Sequence, residues 1–367
     1  MTVIVFLIVL AILVFVHELG HFLVAKAFGI RVDEFGLGFP PRLLSFTRRE
    51  TRYSLNAIPF GGFVKIFGEN PDEESLTGPD SPRSLVNKSK WVQAAVLFAG
   101  VFFNIVFAWL IISGGLMSGL RLSADNVPAN AIVIEAPRVI VTSVAPDSPA
   151  DTVGLKTADA LLFLTANNEG LQNFSVEQIQ DFIVRHGEEE ITFLIRRGTE
   201  NLTLYITPIQ GIVSDRPAIG ISMDAVGTFK LPLFSAFIEG AKFTASLLKA
   251  ITVGLGTFIY SAITGQADLS QVTGPVGIAG MVGEASRLGF VYLLSFTAFI
   301  SLNLAVINLI PIPALDGGRL LFVLIESIKG SPIKPKVANT LNAIGFALLL
   351  LLMLVVTYQD IFRIVAR

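Results

Sequence analysis

Four long apolar stretches divide the chain, and each is long enough to cross a bilayer as a helix, which takes about 20 residues. The stretches cover residues 2–28, 91–120, 290–312 and 337–358. The first has no basic leader region and no small-residue cleavage site, so we interpret it as a retained span rather than a signal peptide. The pattern therefore predicts an α-helical membrane protein with four transmembrane helices.

The segment between the second and third apolar stretches has a different pattern. Short runs rich in β-branched residues alternate there with turn residues, and residues 176–185 have helical spacing. About 100 residues suffice for a small domain, so we expect one β-rich domain over residues 121–228. The strand-like runs cover residues 139–144, 160–165, 191–196 and 202–207.

The distribution of charge gives the expected orientation. Nine Lys and Arg lie between residues 29 and 90, and four more lie between residues 318 and 336. Because loops next to spans retain their basic residues in the cytoplasm, both loops are predicted to face it. The β-rich segment holds seven basic and fourteen acidic residues, a net charge of −7. This domain and both termini are therefore expected outside.

The composition supports a membrane protein and excludes several other classes. Of 367 residues, 52% are hydrophobic and only 15% are charged, against about 25% charged in soluble proteins. The mean hydropathy of +0.68 excludes a disordered chain. The net charge of −2 offers no basic field for nucleic acid. Cysteine is absent, which excludes a disulfide framework and a thiolate metal site.

Two of the three histidines lie four residues apart in the first apolar stretch, as His17-Glu18-Leu19-Gly20-His21. On a helix, positions i and i+4 share a face, so both imidazoles can bind one metal ion. Glu18 lies about 100° round the same turn and can reach water at the metal without being a ligand. A chance match or a structural cluster is the alternative, but ionisable residues within a span are costly and usually functional.

A catalytic zinc site needs a third protein ligand. His186 lies in the β-rich segment before three glutamates, and we interpret it as a surface residue. Asp316 follows the third apolar stretch, where prolines and glycines break the helix. Irregular backbone at membrane depth is tolerated where it lines a cavity, so Asp316 is the predicted third ligand. Its alternative role is that of a helix cap or turn residue.

The depth of the histidine pair constrains the topology. His17 lies about 15 residues into a helix rising 1.5 Å per residue, and hence about 22 Å from the outer face. Asp316 must reach this level at the inner end of the third span, which therefore starts outside. Residues 121–289 then cannot contain a single crossing. Residues 229–265 are accordingly expected to lie on the outer surface or to dip in and return.

These motifs, in this order, resemble the site-2 proteases, and among them the bacterial regulator-of-sigma-E-protease type. The resemblance covers essentially the whole chain, including the domain between the second and third spans. Its motifs are His17–His21, the stretch Ser301–Asn308 and the stretch Asn308–Gly317. Residues 36–40 and 59–65 are similar to the family's membrane-dipping β-loop and a nearby strand.

The resemblance implies a Zn²⁺ cofactor, the catalytic base Glu18, and the zinc ligands His17, His21 and Asp316. Asn303 and Asn308 are expected to hold unwound substrate, with helix–helix contacts as the alternative. Residues 53–66 are expected to pair with substrate by strand addition, with a cytoplasmic strand free of substrate as the alternative. The candidate substrate-binding positions there are Tyr53, Ser54, Leu55, Asn56, Gly61, Gly62 and Phe63.

The outside segment is similar to a PDZ domain through Val144–Ala150 and Gly154–Lys156. Where the family has a Gly-Asp turn, this chain has Ala158-Asp159. The resemblance implies that the domain contacts substrate or acts as a size gate. A peptide-binding module unconnected with access is the alternative.

These observations together predict a zinc metalloendopeptidase of the bacterial inner membrane, with its active site near the cytoplasmic side. The expected partners are the lipid bilayer and single-span membrane proteins, such as anti-sigma-factor-like stubs or remnant signal peptides. The expected segments are the first span (1–28), a cytoplasmic-side loop with a membrane-associated β-hairpin (29–90), the second span (91–120), the PDZ-like extracytoplasmic domain (121–228), a membrane-surface amphipathic region (229–289), the third span with its Leu-Asp-Gly motif (290–317), a cytoplasmic loop (318–336), and the fourth span with the C-terminus (337–367).

Two other functions compete with this prediction. A membrane zinc transporter would also place histidines and a carboxylate in spans, but the fourth span is almost wholly apolar and no internal repeat is present. A catalytically inactive scaffold presenting the PDZ-like domain would not need the intact metal and base residues. We therefore favour the protease.

Overall fold

The computed structural model describes residues 2–70, 72–124, 127–128, 130–213, 216–266, 272–331 and 333–365, which form two compact units. Met1–Gly115 and Phe237–Arg367 make up the helical unit, and Leu116–Ala236 make up the β-domain. The helices are α1 (Thr2–Ala27), α2 (Glu73–Thr77), α3 (Lys90–Ser118), α4 (Pro149–Thr152), α5 (Val176–Arg185), α6 (Leu233–Ile263), α7 (Pro275–Leu288), α8 (Phe290–Asn308), α9 (Asp316–Lys329) and α10 (Pro335–Val365).

Five helices within the described residues are long and apolar enough to cross a membrane. They are α1, α3, α6, α8 and the Lys336–Arg363 part of α10. The predicted count of four spans is therefore not confirmed, and α6 is the additional candidate.

Helix α6 occupies most of residues 229–265. It runs without interruption for 31 residues, about 46 Å at 1.5 Å per residue, which does not fit a dip and return inside this segment. The other expected arrangement, on the outer surface, stays a prediction. Near its start α6 packs on α3, where the Trp109 indole N–H donates to the Phe237 carbonyl at 2.9 Å. Farther along, residues 247–255 of α6 and 299–307 of α8 border one groove of about 410 Å³. Helix α6 thus passes beside the C-terminal half of α8.

Helix α7 lies between the C-terminal part of α10 and the start of α1. It begins against α10, where the Asp360 carboxylate accepts hydrogen bonds from the Gly274 and Gly277 N–H groups at 3.1 and 2.8 Å. Nine residues after Gly274, Gly283 packs so closely on Thr2 that a Cβ would collide with it. Helix α7 therefore runs from inside the candidate span of α10 to the N-terminal end of α1, and α8 follows directly.

The loop predicted at residues 318–336 is mostly helical. Helix α9 extends to Lys329 and ends at Gly330, whose φ of 73° is left-handed. Its apolar residues are concentrated in the short run Leu320–Ile325. A run of six residues is too short to be recognised as a span, so hydropathy alone predicts a loop here.

Two long strands, β1 (Val32–Arg48) and β2 (Thr51–Ile66), form a hairpin that rolls on itself and packs on α1. Residues 34–37 of β1 stand opposite residues 52–55 of β2 on one side and 62–65 on the other. The rolled hairpin thus presents segment 62–66 as one of its edges, and this edge lies beside the first helix.

The β-domain is a twisted antiparallel sheet in the order β3-β11-β4-β5-β7-β8, with β6 paired to β5. The buried face of α5, including Phe182, covers a core to which Phe193 belongs. All four predicted strand-like runs fall within strands, apart from the last residue of 202–207, and the predicted helix coincides with α5. The strands are β3 (Leu120–Ser123), β4 (Ile132–Val144), β5 (Ala160–Ala166), β6 (Glu169–Leu171), β7 (Ile191–Arg197), β8 (Glu200–Ile206), β9 (Ile209–Val213), β10 (Arg216–Ala218) and β11 (Ile221–Lys230).

Candidate metal centre

Helix α1 directs both of its imidazoles to the same side. His17 and His21 are buried, and their Nε2 atoms lie 3.2 Å apart. This proximity follows from their i, i+4 spacing on a helix. The two Nε2 atoms can therefore serve as ligands to one ion.

Asp316 completes a cluster with these two atoms. Asp316 is the first residue of α9 and follows a tight loop. Gly317 and Gly318 allow this loop to pack closely, because a Cβ at either position would collide with the loop backbone. Asp316 Oδ2 lies 3.0 Å from His17 Nε2 and 3.4 Å from His21 Nε2. The structure therefore brings together the three side chains that the sequence predicted as ligands.

The dimensions of this triangle fit zinc. Bonds of about 2.0–2.1 Å in a tetrahedron separate two ligand atoms by roughly 3.3 Å, close to the three distances observed. Asp316 Oδ2 is buried and accepts no hydrogen bond from the described residues. Three converging acceptor atoms repel one another unless a cation lies between them, so the donor set suits Zn²⁺.

Helix α3 forms the wall behind the imidazoles. The Val96 carbonyl lies 2.8 Å from His21 Nδ1, and the Asn104 side-chain amide lies 3.4 Å from His17 Nδ1. Between them, a Cβ on Gly100 would come within 2.8 Å of His17 Nε2. The sequence-based prediction missed this wall. The one feature of the sequence that could have indicated it is Asn104, because a polar side chain within an apolar span is costly and usually has a role.

Glu18 faces the rolled hairpin rather than joining the ligand triangle. A Cβ built on Gly62 would lie 3.7 Å from Glu18 Cγ, and the Val64 backbone is also directed at this side chain. Arg319 pairs with Glu69 and lies close enough to Glu18 to interact electrostatically. Burial lowers the pKa of Arg319, and the negative charge of Glu18 opposes this effect.

The two predicted asparagines have different surroundings. Asn308 Nδ2 lies 3.5 Å from His17 Nε2, so this amide borders the metal centre. Asn303 instead donates to the Phe299 carbonyl at 2.8 Å and lines the groove between α6 and α8. Of the two, only Asn308 borders the candidate metal centre.

Pairing in the hairpin corrects the prediction for residues 53–56. Tyr53, Ser54 and Leu55 have partners on both sides, so they offer no free edge to a substrate strand. The Asn56 side chain is buried and donates to the Gly38 carbonyl at 3.0 Å. The alternation of apolar and polar residues predicted a strand at residues 53–56. It could not show that two segments of β1 pair with residues 53–55, one on each side.

The remaining predicted strand positions lie near Glu18. Gly62 and Phe63 pair only with residues 36–37 of β1, which leaves their other edge open. Gly61 has a left-handed φ of 105° and lies next to the Phe39 ring. A substrate strand therefore has an available edge at 62–63, beside the candidate base.

His186 does not belong to the metal centre. Its imidazole is 11% exposed, packs on the Phe182 ring and contacts Glu169 and Glu189 at 3.2 and 2.6 Å. Its interpretation as a surface residue is therefore only partly right. Within the described residues, the one group suited to a metal ion is that of His17, His21 and Asp316.

Comparisons with known proteins agree with this chemistry. The model of peptidase family M50 matches residues 5–352. A Clostridium perfringens protein named as a candidate zinc metalloprotease is 38% identical, with 95% of each chain aligned. The regulator of sigma-W protease RasP of Bacillus subtilis is 30% identical, and the zinc metalloprotease RasP of Bacillus licheniformis is 29% identical, each with 99% of both chains aligned.

The family match spans nearly the entire chain. The chain therefore belongs to peptidase family M50, the site-2 proteases. It is a zinc metalloprotease, and its apolar helices make it a membrane protein.

Proposed function

We propose that this protease cleaves single-span membrane proteins within the bilayer. The observation that carries the proposal is the position of the ligand triangle on α1, about 15 residues into a helix apolar enough to span. A peptide bond can reach such a site only by entering the membrane layer. Regulated intramembrane proteolysis is the function that this position supports best.

His17, His21 and Asp316 hold the zinc ion in this proposal. Zinc bound there supplies a Lewis acid that acidifies water and polarises a carbonyl. Glu18 removes a proton from the attacking water and delivers it to the nitrogen of the leaving amine. The Asn308 amide, 3.5 Å from His17 Nε2, is placed to donate to the substrate backbone.

Substrate must unwind before it is cut, because every carbonyl in a spanning helix is already hydrogen-bonded. The open edge at Gly62 and Phe63 offers backbone groups that pair with the unwound segment. Asn303, in the groove between α6 and α8, can pair through its side-chain oxygen with a backbone N–H freed as the substrate helix unwinds. Both contacts act on the substrate chain rather than on the reacting bond.

The proposed location is the bacterial inner membrane, with the metal centre toward the cytoplasm and the β-domain outside. The basic segments 29–90 and 318–336 support this orientation. Helix α7 joins the C-terminal part of α10 to the start of α1, which are both ends that this orientation places outside. The exposed apolar residues of the rolled hairpin, Leu43, Leu44 and Phe46, support its contact with lipid.

The β-domain is proposed to be PDZ-like and to act as a size gate. A groove of about 280 Å³ lies between α5 and β11, bordered by Ile183 and Met223. Residues 221–225 of β11 pair with β4 on one side only, so an extended peptide can add to the other. A trimmed substrate stub would pass this domain, and a bulky outer portion would be excluded.

The proposed substrates are stubs of regulatory membrane proteins, such as anti-sigma factors, or remnant signal peptides. The name of the Bacillus subtilis relative, a regulator of sigma-W protease, supports the regulatory class. All of these substrates share one apolar helix with little mass outside. This shared property matches a metal centre on an apolar helix and a domain that excludes bulky outer portions.

Replacing the base tests the proposed chemistry. Glu18→Gln should abolish cleavage of a single-span reporter in proteoliposomes while zinc content stays at the wild-type value, because Gln cannot carry the proton. Glu73→Gln, at an exposed position in α2, is the matched control and should cleave normally. Cleavage by Glu18→Gln at more than a few per cent of the wild-type rate would remove the catalytic assignment.

Replacing the carboxylate ligand tests the proposed metal site. Asp316→Asn should lower the zinc content of the purified protein well below that of Glu18→Gln, because it removes the one anionic ligand. Elemental analysis after gel filtration measures the stoichiometry. Wild-type zinc content in Asp316→Asn would show that the third ligand lies elsewhere.

A further inference from the structure

Helix α3 carries a residue that the proposed mechanism does not use. We propose that Asn104 is a positioning residue that holds His17 with a proton on Nδ1 and the Nε2 lone pair directed at the metal. The proposal rests on the zinc site proposed above. The proposal extends to His21, because the same face of α3 orients both histidines.

The argument begins with the direction of the two rings. Both Nε2 atoms point at Asp316 Oδ2, so metal binding there requires the protons on Nδ1. Each Nδ1–H then needs a hydrogen-bond acceptor, because both histidine side chains are buried. The ring of His21 has such an acceptor in the Val96 carbonyl, at 2.8 Å.

Asn104 is the corresponding group for His17. Its side chain is fully buried, and its amide Nδ2 lies 3.4 Å from His17 Nδ1 while its Oδ1 has no partner. The two ends of an amide have the same shape, so rotation by 180° exchanges them without moving other atoms. In that orientation Oδ1 accepts from His17 Nδ1–H, whereas the opposite orientation would set the amide N–H against the ring N–H.

The spacing of residues on α3 matches the spacing of the two histidines on α1. Val96, Gly100 and Asn104 recur every four residues, as do His17 and His21 on α1. Gly100 leaves room for the imidazoles, since a Cβ there would collide with both rings. Helix α3 thus presents an acceptor, a gap and a second acceptor to the histidine pair.

A further contact holds Asn104 in place. The Ser301 hydroxyl of α8 donates to the Asn104 backbone carbonyl at 2.8 Å, and both residues are fully buried. This contact holds the α3 backbone at Asn104 against α8, and the side-chain amide faces His17. If it served only to join the helices, its loss would lower stability without changing metal affinity.

Zinc retention distinguishes these roles. Full-length protein in detergent is titrated with a chelator, and bound zinc is measured by elemental analysis. Asn104→Leu and Asn104→Ala should bind zinc about 10–100-fold more weakly, as expected for loss of a hydrogen-bond partner of a metal-binding histidine. Asn104→Asp should stay within a few-fold of wild type, because its carboxylate still accepts from Nδ1–H.

Two controls make the result specific. Ser113→Ala removes another buried polar group of α3, which bonds to the Trp109 carbonyl, and should leave zinc affinity unchanged. Wild-type affinity in a folded Asn104→Leu or Asn104→Ala protein, or equal losses in Asn104→Ala and Asn104→Asp, would overturn the positioning role. Undiminished zinc in Asp316→Asn, measured in parallel, would instead refute the proposed metal site, and the Asn104 proposal with it.

Discussion

At the scale of single residues, the sequence predicts chemistry that is encoded in local spacing. His17, Glu18 and His21 could be predicted because helical geometry alone fixes which of them share a face. The contacts made by Val96 and Asn104 could not be predicted, since they depend on how α3 packs more than 70 residues away along the chain. A backbone carbonyl such as that of Val96 leaves no signal in the sequence at all.

One residue of the β-domain is predicted to be strained. Ala158 has a φ of 73° in the turn before the buried Asp159, a conformation that glycine adopts without steric cost. Ala158→Gly should stabilise the domain by about 0.5–1 kcal/mol, because relief of about 1–2 kcal/mol exceeds the added entropy of the unfolded chain. Hydrogen exchange of the β-domain in the full-length protein measures this change.

A second glycine substitution serves as the control for Ala158→Gly. Ala166 is buried in β5 without a left-handed φ, so Ala166→Gly should destabilise the domain by about 0.5–1 kcal/mol. Opposite signs for the two variants support strain at Ala158. A loss of protection in both would show that the turn carries none.

At the scale of elements, periodicity predicts a strand or helix but not its partners. The run at residues 176–185 predicts α5 because its apolar positions repeat with helical spacing, and a capping box of Ser175 and Gln178 fixes its start. The run at residues 53–56 also predicts a strand correctly. Its role as a substrate edge does not fit the structure, because the rolled hairpin covers both of its sides.

The start of α7 depends on a side chain from another helix. Asp360 is 4% exposed and accepts from the Gly274 and Gly277 N–H groups. Asp360→Ala should destabilise the protein by about 1–3 kcal/mol, since one buried and one half-buried N–H group lose their acceptor. Thermal unfolding in detergent should show the lowered midpoint. Asp360→Asn should have an intermediate midpoint, because the amide oxygen still accepts, whereas a wild-type midpoint in Asp360→Ala would contradict the capping role.

At the scale of the whole molecule, hydropathy predicts which helices are apolar but not how many cross. Four stretches have clear spanning character, and charge in the loops orients them. Helix α6 escaped the count because Glu239, Lys242 and Lys249 lower its hydropathy and because a single crossing there violates the required parity. Helix α7 has only 14 residues, too few to cross a bilayer, and it joins the C-terminal part of α10 to the start of α1. The side of the membrane on which α6 ends therefore decides the topology.

This arrangement predicts which side of the membrane the α6–α7 connection faces. If α6 runs inward beside α8, Gln266 lies on the cytoplasmic side. The chain has no cysteine, so Gln266→Cys would provide a single reactive thiol without further substitutions. In oriented vesicles, a membrane-impermeant maleimide should label Gln266→Cys from the cytoplasmic face, as it should Ser89→Cys in the basic loop. Glu188→Cys in the β-domain should react only from the opposite face. Labelling of Gln266→Cys together with Glu188→Cys would place α6 on the outer surface instead, and the groove between α6 and α8 could then not open into the membrane layer.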